Sequence, residues 1–414
     1  MFKSLLKRAA ILSCALLSSV TIQAQESEDS KYKFDVYGFV RTDFYYNSRD
    51  CVAGVNDIFN LYPMDIELDA LGEDLNGYSS SGFFAFITRL GVDITGPNIG
   101  KATSVAKIEV DFGGYSNQNT ILRIRQANIA LNWESGSGLV LGQTWHPLYG
   151  EVFPLTTNIT MGAPFQPFTR TPQICYSYKT QSGIKFIAAA LWQLQYLSNG
   201  PNGKSIEYQV NSGIPEFFLG ANYYRGNWLL GFGADMINIQ PRTESTMNGE
   251  TYRVEELLSA VSAEAHMRYK SKKWYVAAKT IYASALDYAT MLGGYGVTDI
   301  DSTTGAQSYA PIHNSSTWFN ISYGDKWIPS LFVGYTKNLG ANQEIVGDIY
   351  GSGTDIDQLV GCQVGLKYRR PHWSCSIEYS STGAWYGDIN SMGRVENTHS
   401  VFNNRIVSEV SFLF

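Results

Sequence analysis

The chain has 414 residues, of which 44% are hydrophobic and only 16% charged, with a formal net charge of −6. That acidic balance argues against a nucleic-acid role. An aromatic share of 14%, with 27 Tyr, is too rich for a disordered chain, and 39 Gly against 13 Pro favours strands and tight turns over helices.

In chain order, residues 1–24 have the layout of a secretory signal peptide. Lys3, Lys7 and Arg8 precede an apolar run of about 14 residues, and small residues lead to a cut after Ala24. A membrane-spanning helix needs roughly 20 apolar residues, and no stretch of the chain supplies them. Removing the peptide takes the formal charge to about −9. Cys51, Cys175, Cys362 and Cys375 remain, without metal-ligand spacing. Export permits disulfides, but free or packed thiols are the expectation. Residues 25–32 make a short periplasmic segment, which leaves no room for an N-terminal plug domain.

From Phe34 the pattern has period two. Phe34, Val36, Gly38, Val40, Thr42, Phe44 and Tyr46 alternate with Asp35, Arg41 and Asp43. A second strand over 83–95 puts Phe84, Phe86, Leu90, Val92 and Ile94 on one face and Arg89 and Asp93 on the other. Ala106, Ile108, Val110 and Phe112 then alternate with Lys107, Glu109 and Asp111, and Leu122 and Ile124 with Arg123 and Arg125. "LVLGQTW", "TPQICYSYK", "IKFIAAALWQLQY", "EFFLGANYY", "NWLLGFGADM" and "LSAVSAEAHMRY" follow. The last six are "KWYVAAKTIYAS", "TWFNISYG", "SLFVGYTK", "LVGCQVGLKYR", "HWSCSIEYS" and the terminal "NNRIVSEVSFLF". That makes sixteen strands.

The connections alternate short and long. The long ones span roughly 47–82, 113–120, 147–170, 197–214, 239–253, 285–316, 339–358 and 382–401. Sorting all long loops to one end predicts an all-β fold: a single transmembrane antiparallel up-and-down β-barrel over 33–414, with short periplasmic turns and long extracellular loops. Trp133, Tyr176, Tyr223, Trp228, Tyr269, Trp274, Tyr335, Trp373 and Phe414 lie near strand ends, where interfacial aromatic girdles sit.

The candidate functional residues lie on the inferred inner face. Arg41, Arg89, Arg123, Arg125 and Arg405 fall on strands one, two, four and sixteen, which adjoin if the barrel closes. Asp43, Asp93, Lys107, Glu109 and Asp111 share that wall. Such charges are either a selectivity patch, a salt-bridge network supporting the wall, or both. The third long loop, 147–170, is unusually apolar for an exposed segment: Phe153, Leu155, Ile159, Met161, Phe165 and Phe168 are expected to fold inward. Glu151 and Arg170 would then face the channel.

Catalysis and metal binding have weaker support. His266 beside Glu264 is the one expected lumenal His, while His146 ends the fifth strand and His313, His372 and His399 fall in connections. No G-x-S-x-G or HExxH occurs. The aspartates of "TDIDSTTG" and "GSGTDIDQ" read as solvated loops rather than calcium ligands. No cofactor and no enzymatic activity are expected. A barrel-embedded lipase or protease, and a loop-mediated binding or adhesion protein, are the competing readings.

Sixteen strands, an inward third loop and a terminal Phe strand resemble the trimeric bacterial outer-membrane porins. "DVYGFVRTDFYY", "TRLGVDITGP" and "LGQTWHPLY" most resemble the DcaP-like group. The resemblance implies a homotrimer in a Gram-negative outer membrane, each monomer carrying a pore narrowed by the third loop. It implies passive diffusion of small hydrophilic solutes, with anions favoured. It also implies that Val410, Phe412 and Phe414 form a terminal signal read by the barrel-assembly machinery.

Overall fold

The computed structural model describes residues 32–55, 57–116 and 119–414. The expected signal peptide and residues 25–31 of the segment after it lie outside the described residues. Sixteen antiparallel strands close into one barrel. They are β1 (Lys33–Asn47), β2 (Ser80–Phe84 with Arg89–Thr95), β3 (Ala102–Ser116), β4 (Asn119–Trp133), β5 (Ser137–Trp145), β6 (Arg170–Lys179), β7 (Ile184–Leu191) and β8 (Glu216–Arg225). The second half is β9 (Trp228–Ile239), β10 (Leu258–Lys270), β11 (Trp274–Ser284), β12 (Gln307–Tyr323), β13 (Trp327–Gly340), β14 (Ile356–Arg369), β15 (Trp373–Ile389) and β16 (Val395–Leu413). Each pairs with its neighbours in sequence, and β16 closes on β1. Closure leaves no strand edge unpaired, which a bilayer requires.

The seam runs from Phe39 opposite Leu413 to Asn47 opposite Arg405. It extends to the last residue: Phe414 and Gly38 exchange N–H···O bonds of 3.0 and 3.1 Å. On β16, Ile406, Val410, Phe412 and Phe414 point outward, whereas Arg405, Glu409 and Ser411 are buried inside. A Cβ on Gly38 would stand 2.5 Å from the Arg89 backbone oxygen and 2.9 Å from the Phe414 ring, so the close strand approach there requires glycine.

Two features depart from the sequence reading. The second strand is broken, because residues 40–42 of β1 stand opposite residues 85–88, one residue more. A one-residue bulge flips every side chain beyond it. Phe83 is therefore 68% exposed, while Phe86 is 9% exposed and Phe84 turns inward with it, not outward as expected. The expected long loop at 113–120 is instead mostly strand: β3 and β4 stay paired to Ser116 and Asn119. Short helical pieces also occur, a six-residue helix Glu207–Ser212 and a single turn Asp287–Ala289.

The outer wall is apolar and unevenly aromatic. Trp228, Trp274, Trp327 and Trp373 each open a strand after a short turn. Each stands directly opposite an aromatic on the next strand: Tyr269, Tyr323, Tyr368 and Phe412. Their ring centroids lie 4.6–5.0 Å apart. Cross-strand aromatic pairs stabilise a sheet, and their amphipathic rings suit the headgroup level. The exposed large side chains at the middle of β3–β5 are mainly aliphatic instead, among them Ile108, Leu122, Ile124, Ile129 and Leu141, with Phe112 the aromatic exception.

Candidate pore and its inward elements

Residues 146–169, the connection after β5, cross the barrel interior. The wall holds this loop mainly through its backbone, which would otherwise carry unpaired polar groups inside the barrel. Lys279 on β11 donates to the carbonyls of Leu148 and Tyr149 (2.6 and 3.0 Å). Arg268 on β10 donates to Glu151 O (2.8 Å), and Asn320 on β12 accepts from Leu155 N–H (2.9 Å). At the tip, the Thr157 and Asn158 N–H groups donate to the two carboxylate oxygens of Glu378 on β15 (2.7 and 3.2 Å). Arg41 donates to Thr157 O (2.9 Å). On the return leg the Phe165 ring lies against Gly334 and Gly361, where any Cβ would come within 2.5 Å of it.

A second element also enters. The connection between β1 and β2 begins with a ribbon, Cys51–Gly54 paired with Phe59–Pro63, whose Tyr62 is buried beside Val152, Phe165 and Trp318. Its Phe59 packs on Phe168 of the crossing loop at 4.9 Å. Ile58 sits with Phe86 and Ile87 from the bulged strand, and Val55 and Ile159 pack against the same cluster. The bulge in β2 thus turns apolar side chains inward where two loop tips need an apolar seat.

Between these elements and the β1–β4 wall lies a cavity of about 530 Å³. Arg41, Arg89, Arg123, Arg125 and Lys204 line it, against two acids, Asp111 and Asp287. The arginines are paired within the wall. Arg123 grips Asp111 with two bonds of 2.9 and 2.8 Å, and Arg125 bridges Glu109 and Asp111, both at 2.9 Å. Arg41 holds Asp43, while Arg89 stands 3.8 Å from Glu109 and keeps an unpartnered Nε–H. Asp43 and Glu109 stand behind the arginines and do not line the cavity. The network therefore supports the wall and leaves the cavity's own lining cationic.

Other expected pore residues lie elsewhere. Lys107 pairs with Asp93 toward the short-turn end. Glu151 is held by Tyr224 and Lys185 and borders a smaller cavity of about 330 Å³ behind the crossing loop. Arg170 does not face the channel. It is fully buried, donates to Tyr196 Oη (2.8 Å), and lies 4.8–5.5 Å from the rings of Trp145, Phe168 and Tyr196, so aromatic faces replace a carboxylate partner. Arg405 is likewise withdrawn, 2% exposed beneath the ribbon. Sequence reasoning missed Glu378 and Lys204: alternation marks Glu378 as inward, but only the loop's path gives it a role.

The histidines are committed elsewhere. The Nδ1 and Nε2 atoms of His266 face Glu264 (2.8 Å) and Asn222 Oδ1 (3.0 Å), so neither rests on a hydroxyl nucleophile. His313 lies in β12, not in a loop. Its Nε2 accepts from Asn342, so its Nδ1–H donates to Ser284 (2.7 Å), the wrong direction for a general base, and Ser284 is fully buried. His399 lies in β16 and bonds Asp65. His146, Glu216 and Asp235 converge in the interior with metal-like proximity. However, His146 Nδ1 accepts the Leu148 N–H (3.0 Å), which puts the ring proton on Nε2, aimed at Glu216 (2.6 Å). A protonated Nε2 offers a cation no lone pair. Tyr288 also donates to Glu216, so the cluster ties the loop base to the wall. Of the aspartates read as loop residues, Asp301 accepts from Thr303 and Thr304, and Asp357, which lies in β14, pairs with Lys337. The four cysteines of the described residues are free thiols.

A closed sixteen-stranded barrel with an apolar outside, a charged inside and a loop crossing its lumen defines the transmembrane porin fold. Among solved structures, the chain is similar to the outer membrane channel DcaP of Acinetobacter baumannii, at 16% identity and a TM-score of 0.66, covering 93% of this chain and 98% of that one. It is also similar to the anion-selective porin from Comamonas acidovorans (10% identity, TM-score 0.54, covering 92% and 100%) and to Salmonella typhi OmpF in complex with daunomycin (12%, 0.53, covering 93% and 98%). At these identities the likeness is one of fold. No protein-family model and no curated protein matches the chain.

Proposed function

We propose that the chain is an outer-membrane porin for passive diffusion of small hydrophilic solutes, with anions favoured. The cavity at the crossing loop carries the reading: five cationic side chains against two acidic ones line it. Fixed charge at a narrow, low-dielectric passage concentrates ions of opposite sign and selects by size and charge together. Similar folds include one described as an outer membrane channel and one as an anion-selective porin, which supports the same reading. In this account residues 1–24 direct export, the short turns face the periplasm, and Val410, Phe412 and Phe414 are read during barrel assembly.

Homotrimer formation belongs to the same proposal. The aliphatic middle of β3–β5 suits contact with a neighbouring subunit better than the aromatic-banded remainder does, and non-denaturing electrophoresis tests it. The function is tested by reconstituting purified protein in planar bilayers. Stepwise conductance is expected, with a reversal potential in a KCl gradient on the anion-selective side. Folded protein that gives no steps would overturn the reading.

A further inference from the structure

We propose that the ribbon Cys51–Pro63 is a second constriction element of the channel, and that Arg405 is the positioning residue that holds it in the aperture. This rests on the channel reading above and adds to it, since the crossing loop alone would leave the β1–β2 side of the cavity open.

The ribbon closes that side. Val52, Val55, Phe59 and Leu61 line the cavity together with Arg41 and Arg89, so the passage has an apolar wall and a cationic wall. The ribbon also touches the crossing loop, through Phe59 on Phe168 and through the shared seat of Val55 and Ile159. Either element alone would expose apolar side chains to water; together they cover one another.

Arg405 accounts for the ribbon's position. Arg405 is 2% exposed and forms no ion pair with a carboxylate among the described residues. It donates instead to Ile58 O at the ribbon turn (3.2 Å) and to Asn47 Oδ1 (2.7 Å), and lies 4.7 Å from the Tyr45 ring. A buried guanidinium is costly unless its donors are used. Here Nη1 and Nη2 each find an acceptor while Nε does not, and one of the two fixes a backbone carbonyl for which no other donor occurs among the described residues. Tyr386 donates to Pro63 O (2.8 Å) and fixes the ribbon's other end. Arg405 thus shapes the aperture without lining it.

The test uses full-length protein in planar bilayers, with aperture read by exclusion of polyethylene glycols of graded size. Three variants are compared with wild type: Arg405→Ala, Arg405→Lys, and a chain with residues 52–61 replaced by a short Gly-Ser turn. The Gly-Ser replacement and Arg405→Ala should raise single-channel conductance about twofold and admit larger polymers, with Arg405→Lys between them and wild type. A Gly-Ser variant that forms channels with unchanged polymer exclusion would overturn the second constriction. An Arg405→Ala protein that unfolds at lower temperature yet excludes the same polymers would reduce Arg405 to a structural role. Wild-type protein without any conductance would overturn the channel reading, and this inference with it.

Discussion

At the scale of single residues, the arginines of the β1–β4 wall serve both wall and passage. Arg123 and Arg125 neutralise Asp111 and Glu109 while lining the cavity. Replacing both by alanine deletes two positive charges from the lining and leaves Asp111 there without its two partners, so three cationic side chains would face two acidic ones. The expected outcome is a reversal potential in a KCl gradient moved toward cation preference; an unmoved potential would leave these arginines with the wall alone. Asp287 titrates the same cavity from a loop outside the spanning strands. Burial pushes its carboxyl up to about 6, against the pull of the Asn199 N–H bonds. As pH falls through about 6 the cavity loses one of its two negative charges and anion preference should rise. Asp287→Asn should hold the low-pH preference at every pH. Because the folded pKa lies above the ordinary aspartate value of 3.8, the folded state binds the proton more tightly. This group therefore favours folding most below pH 3.8, and that contribution is lost as pH rises through about 6.

At the scale of elements, the crossing loop depends on Glu378. Two N–H bonds to one buried carboxylate are each worth on the order of 1.5–3 kcal/mol. Glu378→Ala should release the tip and give larger, noisier single-channel currents, with Glu378→Gln intermediate because it keeps one acceptor oxygen. Equally quiet currents of wild-type size would show that the other anchors suffice. The strands were largely legible, because outward apolar and inward polar residues alternate wherever register is regular, as along Phe34–Tyr46 and Ile406–Phe414. The break in β2 was not: the extra residue at 85–88 appears only against β1, and Phe84 and Phe86 read as outward without it. The crossing loop was legible from its misplaced phenylalanines. The ribbon was not, since "CVAGVNDIFNLYP" is ordinary for an exposed hairpin and its burial depends on partners hundreds of residues away. Arg405 read as inward and is buried inside, whereas Arg170 read as facing the channel and instead packs among aromatic rings; sequence cannot show which arginines a loop will cover.

At the scale of the molecule, the barrel closes at its own ends. Deleting Phe414 removes both N–H···O bonds to Gly38 and the ring above it. Assembled barrel in the outer-membrane fraction should fall, while the conductance of molecules that do assemble stays that of wild type; normal assembly would remove the terminal residue's role. The seam also imposes an order on folding. Gly38 and Phe414 exchange bonds beside the Phe39–Leu413 pair, and this ladder joins the two strands farthest apart along the barrel's strand order, so it carries the largest loop-closure entropy in the barrel. Every neighbouring hairpin can form without it, but the sheet stays open, with one bare edge on β1 and another on β16, until the seam pairs. Barrel closure is thus the costliest pairing in chain entropy, and both bare edges must be protected until it forms.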